Sequence, residues 1–290
     1  MDTFENVELV HKSHCILGEG PAWSAEEATL YYIDIFGKKV KSFNIVTQVA
    51  TEFEVQNQIG AVIPTDKNSL LLLLSNGIFE SDKEGLSSEL LFDIPKKVPE
   101  NRMNDAKCDA AGRLWAGSLV DGVPNMGSLF RLQGDQIVKV LDDLTVSNGL
   151  AWSPDSKKMY FIDSGRQDVQ VGDFDLDTGS LTNLESFVVF PEAYGIPDGM
   201  TSDLDGGIWV AFFGGGKIRR YDSKAHLTHE VIMPVSQVTS CAFGGESMNR
   251  LFITTANIET PSNVISDIGG SLFMVETEFF GAPTIPFRRG

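Results

Sequence analysis

The chain has 290 residues, 42% hydrophobic and 22% charged, which excludes a disordered chain and leaves ample material for a buried core. Asp and Glu number 40 against 23 Lys and Arg, for a formal net charge of −17. That balance argues against nucleic acid and anionic membranes as main partners, because both would be repelled.

Three widely spaced cysteines, Cys15, Cys108 and Cys241, form no CxxC pair. Neither a thiol-rich zinc site nor a disulfide framework is indicated, and free thiols fit a reducing interior. The N-terminus lacks the basic-then-apolar run of a signal peptide. The longest apolar run, residues 70–74, is too short to span a bilayer. The expectation is a soluble cytoplasmic protein, monomer or dimer, with a small-molecule partner.

Along the chain, six stretches share one form. The first is Gly18-Glu19-Gly20-Pro21-Ala22-Trp23, a turn, then Thr29-Leu30-Tyr31-Tyr32-Ile33-Asp34. The second opens at Ile59-Gly60-Ala61-Val62-Ile63 and the third at Met103-Asn104-Asp105-Ala106-Lys107-Cys108. The fourth opens at Ser147-Asn148-Gly149-Leu150-Ala151-Trp152, the fifth at Pro197-Asp198-Gly199-Met200-Thr201, and the sixth at Thr239-Ser240-Cys241-Ala242-Phe243-Gly244. Anchors at 19, 60, 104, 148, 198 and 240 are separated by 41, 44, 44, 50 and 42 residues. Each unit reads as strand, tight turn, strand and a third strand. β-Branched and aromatic residues fill the runs, and Gly, Asp, Asn, Ser and Pro punctuate them.

Short antiparallel sheets at this period predict an all-β, six-bladed β-propeller with four-stranded blades around a central channel, as a single domain over 1–290. Residues 7–10 are expected to pair back as the last strand of the sixth blade, leaving no open edge. Two sandwich domains are the alternative, but they do not explain the even spacing. Trp23, Trp152 and Trp209 read as inter-blade core at equivalent positions, and Trp115 as core in a second strand. Cys108 and Cys241 are expected to be buried and inert. His226 and His229 read as an outer-strand surface pair, and His11 and His14 as structural. Gly214-Gly215-Gly216 reads as a turn, since no Lys-Ser or Lys-Thr follows.

The six anchors are Glu19, Gly60, Asn104, Asn148, Asp198 and Ser240. In a propeller the first strand of each blade lines the axis, so these residues meet at one mouth of the channel. Singly, each reads as a turn signal. Together they bring oxygen donors to one place, which suits a hard cation such as Ca²⁺, Mg²⁺ or Mn²⁺ better than Zn²⁺.

Five segments, Leu17-Gly18-Glu19-Gly20-Pro21, Asn101-Arg102-Met103-Asn104-Asp105, Ser147-Asn148-Gly149-Leu150-Ala151-Trp152-Ser153, Ile196-Pro197-Asp198-Gly199-Met200 and Thr239-Ser240-Cys241-Ala242-Phe243-Gly244-Gly245, occur in order. They resemble the SMP-30/gluconolactonase/luciferin-regenerating-enzyme family over essentially the whole chain. The resemblance implies one divalent cation, Ca²⁺ before Zn²⁺, Mg²⁺ or Mn²⁺, held by Glu19, Asn148 and Asp198. It further implies substrate contacts from Arg102 and Asn104, and Asp198 as the carboxylate that activates water for the hydrolysis of sugar lactones to aldonic acids.

One departure matters. Regucalcin-like members carry a Glu-Glu pair after the third unit's second strand, whereas the stretch here is Ser118-Leu119-Val120-Asp121-Gly122-Val123. The second Glu position falls on Gly122, which leaves Asp121 as the replacement substrate contact. The alternative functions are a related esterase, phosphotriesterase or luciferin-regenerating hydrolase, or a non-catalytic calcium-binding regulatory propeller.

Overall fold

The structure, a computed structural model, describes residues 1–261 and 263–289. Its sheets form a six-bladed β-propeller. The innermost strands are Gly18–Ser24, Ile59–Pro64, Arg102–Cys108, Ser147–Trp152, Ile196–Ser202 and Val238–Gly244. Each lies beside the next, and the sixth returns to the first. Successive strands of each blade pair antiparallel moving outward.

The second strands carry no polar alternation because both faces are covered by neighbouring blades. Thr29–Asp34 and Leu70–Leu74 are buried at every position, which is how an antiparallel strand comes to read as an unbroken apolar run. Outer strands such as Val49–Glu54 are mostly exposed.

Ring closure follows the expectation, with Glu8–His11 pairing antiparallel to Leu272–Glu276 in the sixth blade. The sheet's last edge is thus completed by the chain's other end. An addition not read from the sequence is Asp2–Phe4, which pairs parallel to Leu227–Ile232 and gives the fifth blade a fifth strand. Three residues carry too little pattern to signal a strand. The C-terminal segment is also fastened. Phe287 is buried, donates its amide N–H to Pro64 O at 2.9 Å, and accepts at its carbonyl from Asp66 N–H at 3.1 Å.

Three sequence readings need correction. Trp209 sits in a second strand, the counterpart of Trp115 rather than of Trp23 and Trp152. The indole Nε1 of Trp209 donates to Asp203 Oδ2 at 2.8 Å, and that of Trp115 to Asp109 Oδ2 at 3.0 Å. These turn carboxylates therefore serve the core. His226 is exposed as expected, but His229 is buried, its ring near Phe4 and Phe279. The unexpected N-terminal strand covers it. His14 is exposed and adopts a positive φ, whereas His11 stacks on Phe43.

The cysteines are free and buried. Burial pushes the Cys108 thiol up, and those of Cys15 and Cys241 up to about 12, which makes all three poor nucleophiles.

Asp203 also accepts from Arg220 Nε at 2.7 Å and from the Gly207 amide at 2.8 Å. Removing a carboxylate at the centre of such a buried network leaves several donors unpaired. Asp203→Ala is expected to destabilise the protein by about 3–5 kcal/mol in chemical denaturation. Equal stability of the variant and the parent protein would refute this role.

Candidate active site

Each inner strand slips register against its second strand near its anchor. The shifts fall between Glu19 and Ala22, Ile59 and Ala61, Met103 and Ala106, Ser147 and Leu150, Pro197 and Met200, and Val238 and Ser240. Such irregularities release residues from the ladder and re-aim their side chains. Asn104, Asp105, Asn148 and Asp198 lie within these breaks. The glycine after an anchor also serves close approach. A Cβ on Gly149 would lie 2.7 Å from Asp198 O, and one on Gly199 only 2.1 Å from Ser240 Oγ. Adjacent inner strands could not come this near with side chains there.

The breaks bring Asn148 against Asp198, with Nδ2 donating to Asp198 Oδ1 at 2.5 Å. The same amide donates to Ser164 Oγ at 3.1 Å, and Ser164 Oγ donates to Pro197 O at 2.7 Å. Ser164 was not singled out in the sequence; it follows the second strand of its blade and fixes the Asn148 amide. Glu19 is buried, and its Oε2 accepts from Gly20 N–H at 2.8 Å.

Burial pushes the Glu19 carboxyl well above the usual carboxylate range, and the charges of Asp198 and Asp105 push it further. Burial raises Asp198 as well; the Asn148 hydrogen bond opposes this and Asp105 adds to it. Asp105 is raised by burial, which outweighs the opposing charge of Lys107. Lys107 in turn is lowered by burial and donates from Nζ to Met200 O at 2.8 Å. Asp105 is thus a member of the site that the sequence analysis did not single out.

The substrate-side residues form a second group. Arg102 is buried. Its Nε and Nη2 hold Asp121 through both carboxylate oxygens, at 2.9 and 2.8 Å. Its Nη1 donates to Met103 O at 3.2 Å and to Asn104 Oδ1 at 3.1 Å. Asn104 Nδ2 donates to Ser147 O at 3.1 Å. Asp121 is therefore a partner of Arg102 in this structure.

A cavity of about 210 Å³ runs down the channel below these groups. Asp105, Lys107, Met200 and Cys241 line it, whereas Glu19, Asn148 and Asp198 do not. Residues 282–285 of the C-terminal segment line its lower end.

A dication fits this donor set. Glu19 and Asp198 form no ion pair among the described residues. Buried carboxylates without a counter-charge are costly, and they either stay protonated or bind a cation. Asn148 Oδ1 accepts no hydrogen bond among the described residues, so an amide oxygen remains for a hard cation. No cluster of three or more His, Cys, Asp or Glu side chains stands close enough to hold an ion among the described residues. The donor set is two carboxylates and an amide, assembled from three blades.

A propeller with oxygen donors gathered at one mouth of its channel is the class that fold and site define. The chain belongs to the SMP-30/gluconolactonase/LRE-like family, whose model matches residues 17–257. It is 33% identical over 281 residues to YvrE of Bacillus subtilis (strain 168), covering 95% of this chain and 96% of that one; the name of YvrE provisionally assigns it as a sugar lactone lactonase. A solved luciferin-regenerating enzyme matches 97% of this chain and 99% of its own, with 30% identity and a TM-score of 0.92. A calcium-binding protein, regucalcin, from Agrobacterium tumefaciens str. C58 shares the fold with a TM-score of 0.94 at 24% identity, over 99% of each chain. No helix among the described residues is long and apolar enough to cross a membrane.

Converting one buried carboxylate to an isosteric amide removes a desolvation cost and a repulsion together. Asp198→Asn is expected to raise the Tm of chelator-treated protein by several degrees, since each kcal/mol is worth about 2–4 °C in chains of 150–250 residues. A lower Tm in differential scanning calorimetry would contradict the reading of strain at this site.

Proposed function

We propose that this chain is a divalent-metal-dependent lactonase, a carboxylic ester hydrolase of the gluconolactonase type, acting as one domain in the cytoplasm. The observation that carries this reading is the pair of uncompensated carboxylates, Glu19 and Asp198, each within reach of the other's charge, with Asn148 holding Asp198 from the adjacent inner strand. Sugar lactones, opened to aldonic acids, are the reference substrates.

Glu19, Asn148 and Asp198 hold the cation. Ca²⁺ is the first choice because every donor is a hard oxygen, with Mg²⁺, Mn²⁺ and Zn²⁺ as alternatives. A bound dication supplies Lewis-acid polarisation of the lactone carbonyl. Asp198 takes a proton from the attacking water as its oxygen bonds to the carbonyl carbon. The ring C–O bond then breaks, and the proton passes to the departing alkoxide, giving the hydroxy acid. Arg102 and Asn104 orient the ring, and Asp121 positions Arg102 through its bidentate contact.

Proton release from D-glucono-δ-lactone and simple lactones tests this with two variants. Asp198→Ala is expected to lower kcat about a hundredfold or more. Asp121→Ala is expected chiefly to raise KM, because it frees the guanidinium without touching the base. An Asp198→Ala protein with parental kcat would overturn the mechanism.

A further inference from the structure

Resting on the lactonase reading, two observations narrow the substrate. The first is a deficit of free hydrogen-bond donors. Arg102 already spends four of its five N–H groups, on Asp121, Met103 O and Asn104. Asn104 spends one N–H on Ser147 O, and its oxygen accepts from Arg102. Together they retain one N–H each, too few for a ring bearing a hydroxyl on most of its carbons.

The second observation is the composition of the rim. Five large aliphatic side chains are exposed at the end of the propeller where the inner strands begin: Ile16, Val123, Ile196, Val264 and Ile265, the last two at 85% and 58%. Ile196 opens the fifth inner strand. Val264 and Ile265 lie in the 256–271 connection of the sixth blade. Its first residues are tied beside the mouth, because Asn257 N–H donates to Ile16 O at 3.0 Å and Ile258 N–H to Gln237 Oε1 at 2.8 Å. Ile16 lies two residues before the first inner strand, and Gln237 directly precedes the sixth. Single exposed aliphatics occur elsewhere on the surface and need no explanation. These five share one end of the molecule, from four blades, the end at which the inner strands carry Glu19, Asn148 and Asp198.

We propose that the preferred substrate is a lactone with an apolar ring substituent, an alkyl or aryl group resting on this rim, rather than a polyhydroxylated sugar lactone. The carbonyl end enters the mouth, where Asp198 acts. The substituent stays above it, against Ile196 and the Val264–Ile265 segment.

The test compares kcat/KM by proton release for γ-nonanolactone, γ-butyrolactone and D-glucono-δ-lactone, using the dication-loaded protein. γ-Nonanolactone is expected to exceed γ-butyrolactone by about tenfold or more, in line with burial of part of an alkyl chain. The double variant Val264→Asp/Ile265→Asp is expected to lose about that advantage on γ-nonanolactone and nothing on γ-butyrolactone. Both side chains are exposed, so folding is unaffected, which an unchanged Tm verifies. A preference for D-glucono-δ-lactone over γ-nonanolactone overturns the inference while leaving the lactonase reading standing. So does an equal loss by the double variant on all three lactones. Failure to open any lactone overturns both.

Discussion

Six inner strands must stand side by side around one axis, and the closeness this demands governs the rest of the molecule. At the mouth the backbones approach so nearly that Gly149 and Gly199 admit no Cβ without collision with the next blade. The register breaks beside each anchor have a related consequence: they free one or two residues from the ladder and turn polar side chains toward a common centre. Site and fold are therefore two results of one geometry. A six-fold arrangement of small, apolar inner strands leaves the mouth as the place where Glu19, Asn148 and Asp198 meet.

That meeting is electrostatically expensive. Glu19 is buried and Asp105 and Asp198 are half-buried, their charges reach Glu19, and each of the three carboxyls is pushed above the usual range. Lys107 opposes the charge of Asp105 from below. Asp105 has a counter-charge nearby, whereas Glu19 and Asp198 when ionised carry the charge that one dication offsets. The wider charge surplus divides along the same lines. Asp109 and Asp203 are wholly structural, fastening turns, indoles and guanidinium groups inside the blades. Many others lie on the surface. A net charge of −17 is thus the sum of solvated, structural and site carboxylates, and only the last group points to a cation.

Much of this was legible in the sequence. The 41–50-residue period fixed the number of blades, and the alignment of anchors picked out Glu19, Asn104, Asn148 and Asp198. What was not legible depends on distances that spacing does not encode. Asp105 reads as an ordinary strand residue until a register break frees it together with Asn104. Arg102 was legible as a site residue, but not its bidentate pairing with Asp121, nineteen positions on. His229 reads as surface until three N-terminal residues cover it. Trp209 reads as an equivalent of Trp23 and Trp152 from residue type alone, whereas its hydrogen bond to Asp203 identifies it with Trp115. Each miss is a long-range contact, invisible to a reading built on local pattern.

The central claim is that Glu19, Asn148 and Asp198 hold one dication, and calorimetric titration tests it most directly. Chelator-stripped protein is titrated with Ca²⁺, and then Glu19→Gln/Asp198→Asn protein is titrated in the same way. The account predicts one site per chain in the parent protein and none in the double variant. Undiminished binding by the double variant, or no binding of Ca²⁺, Mg²⁺, Mn²⁺ or Zn²⁺ by folded parent protein, would contradict it.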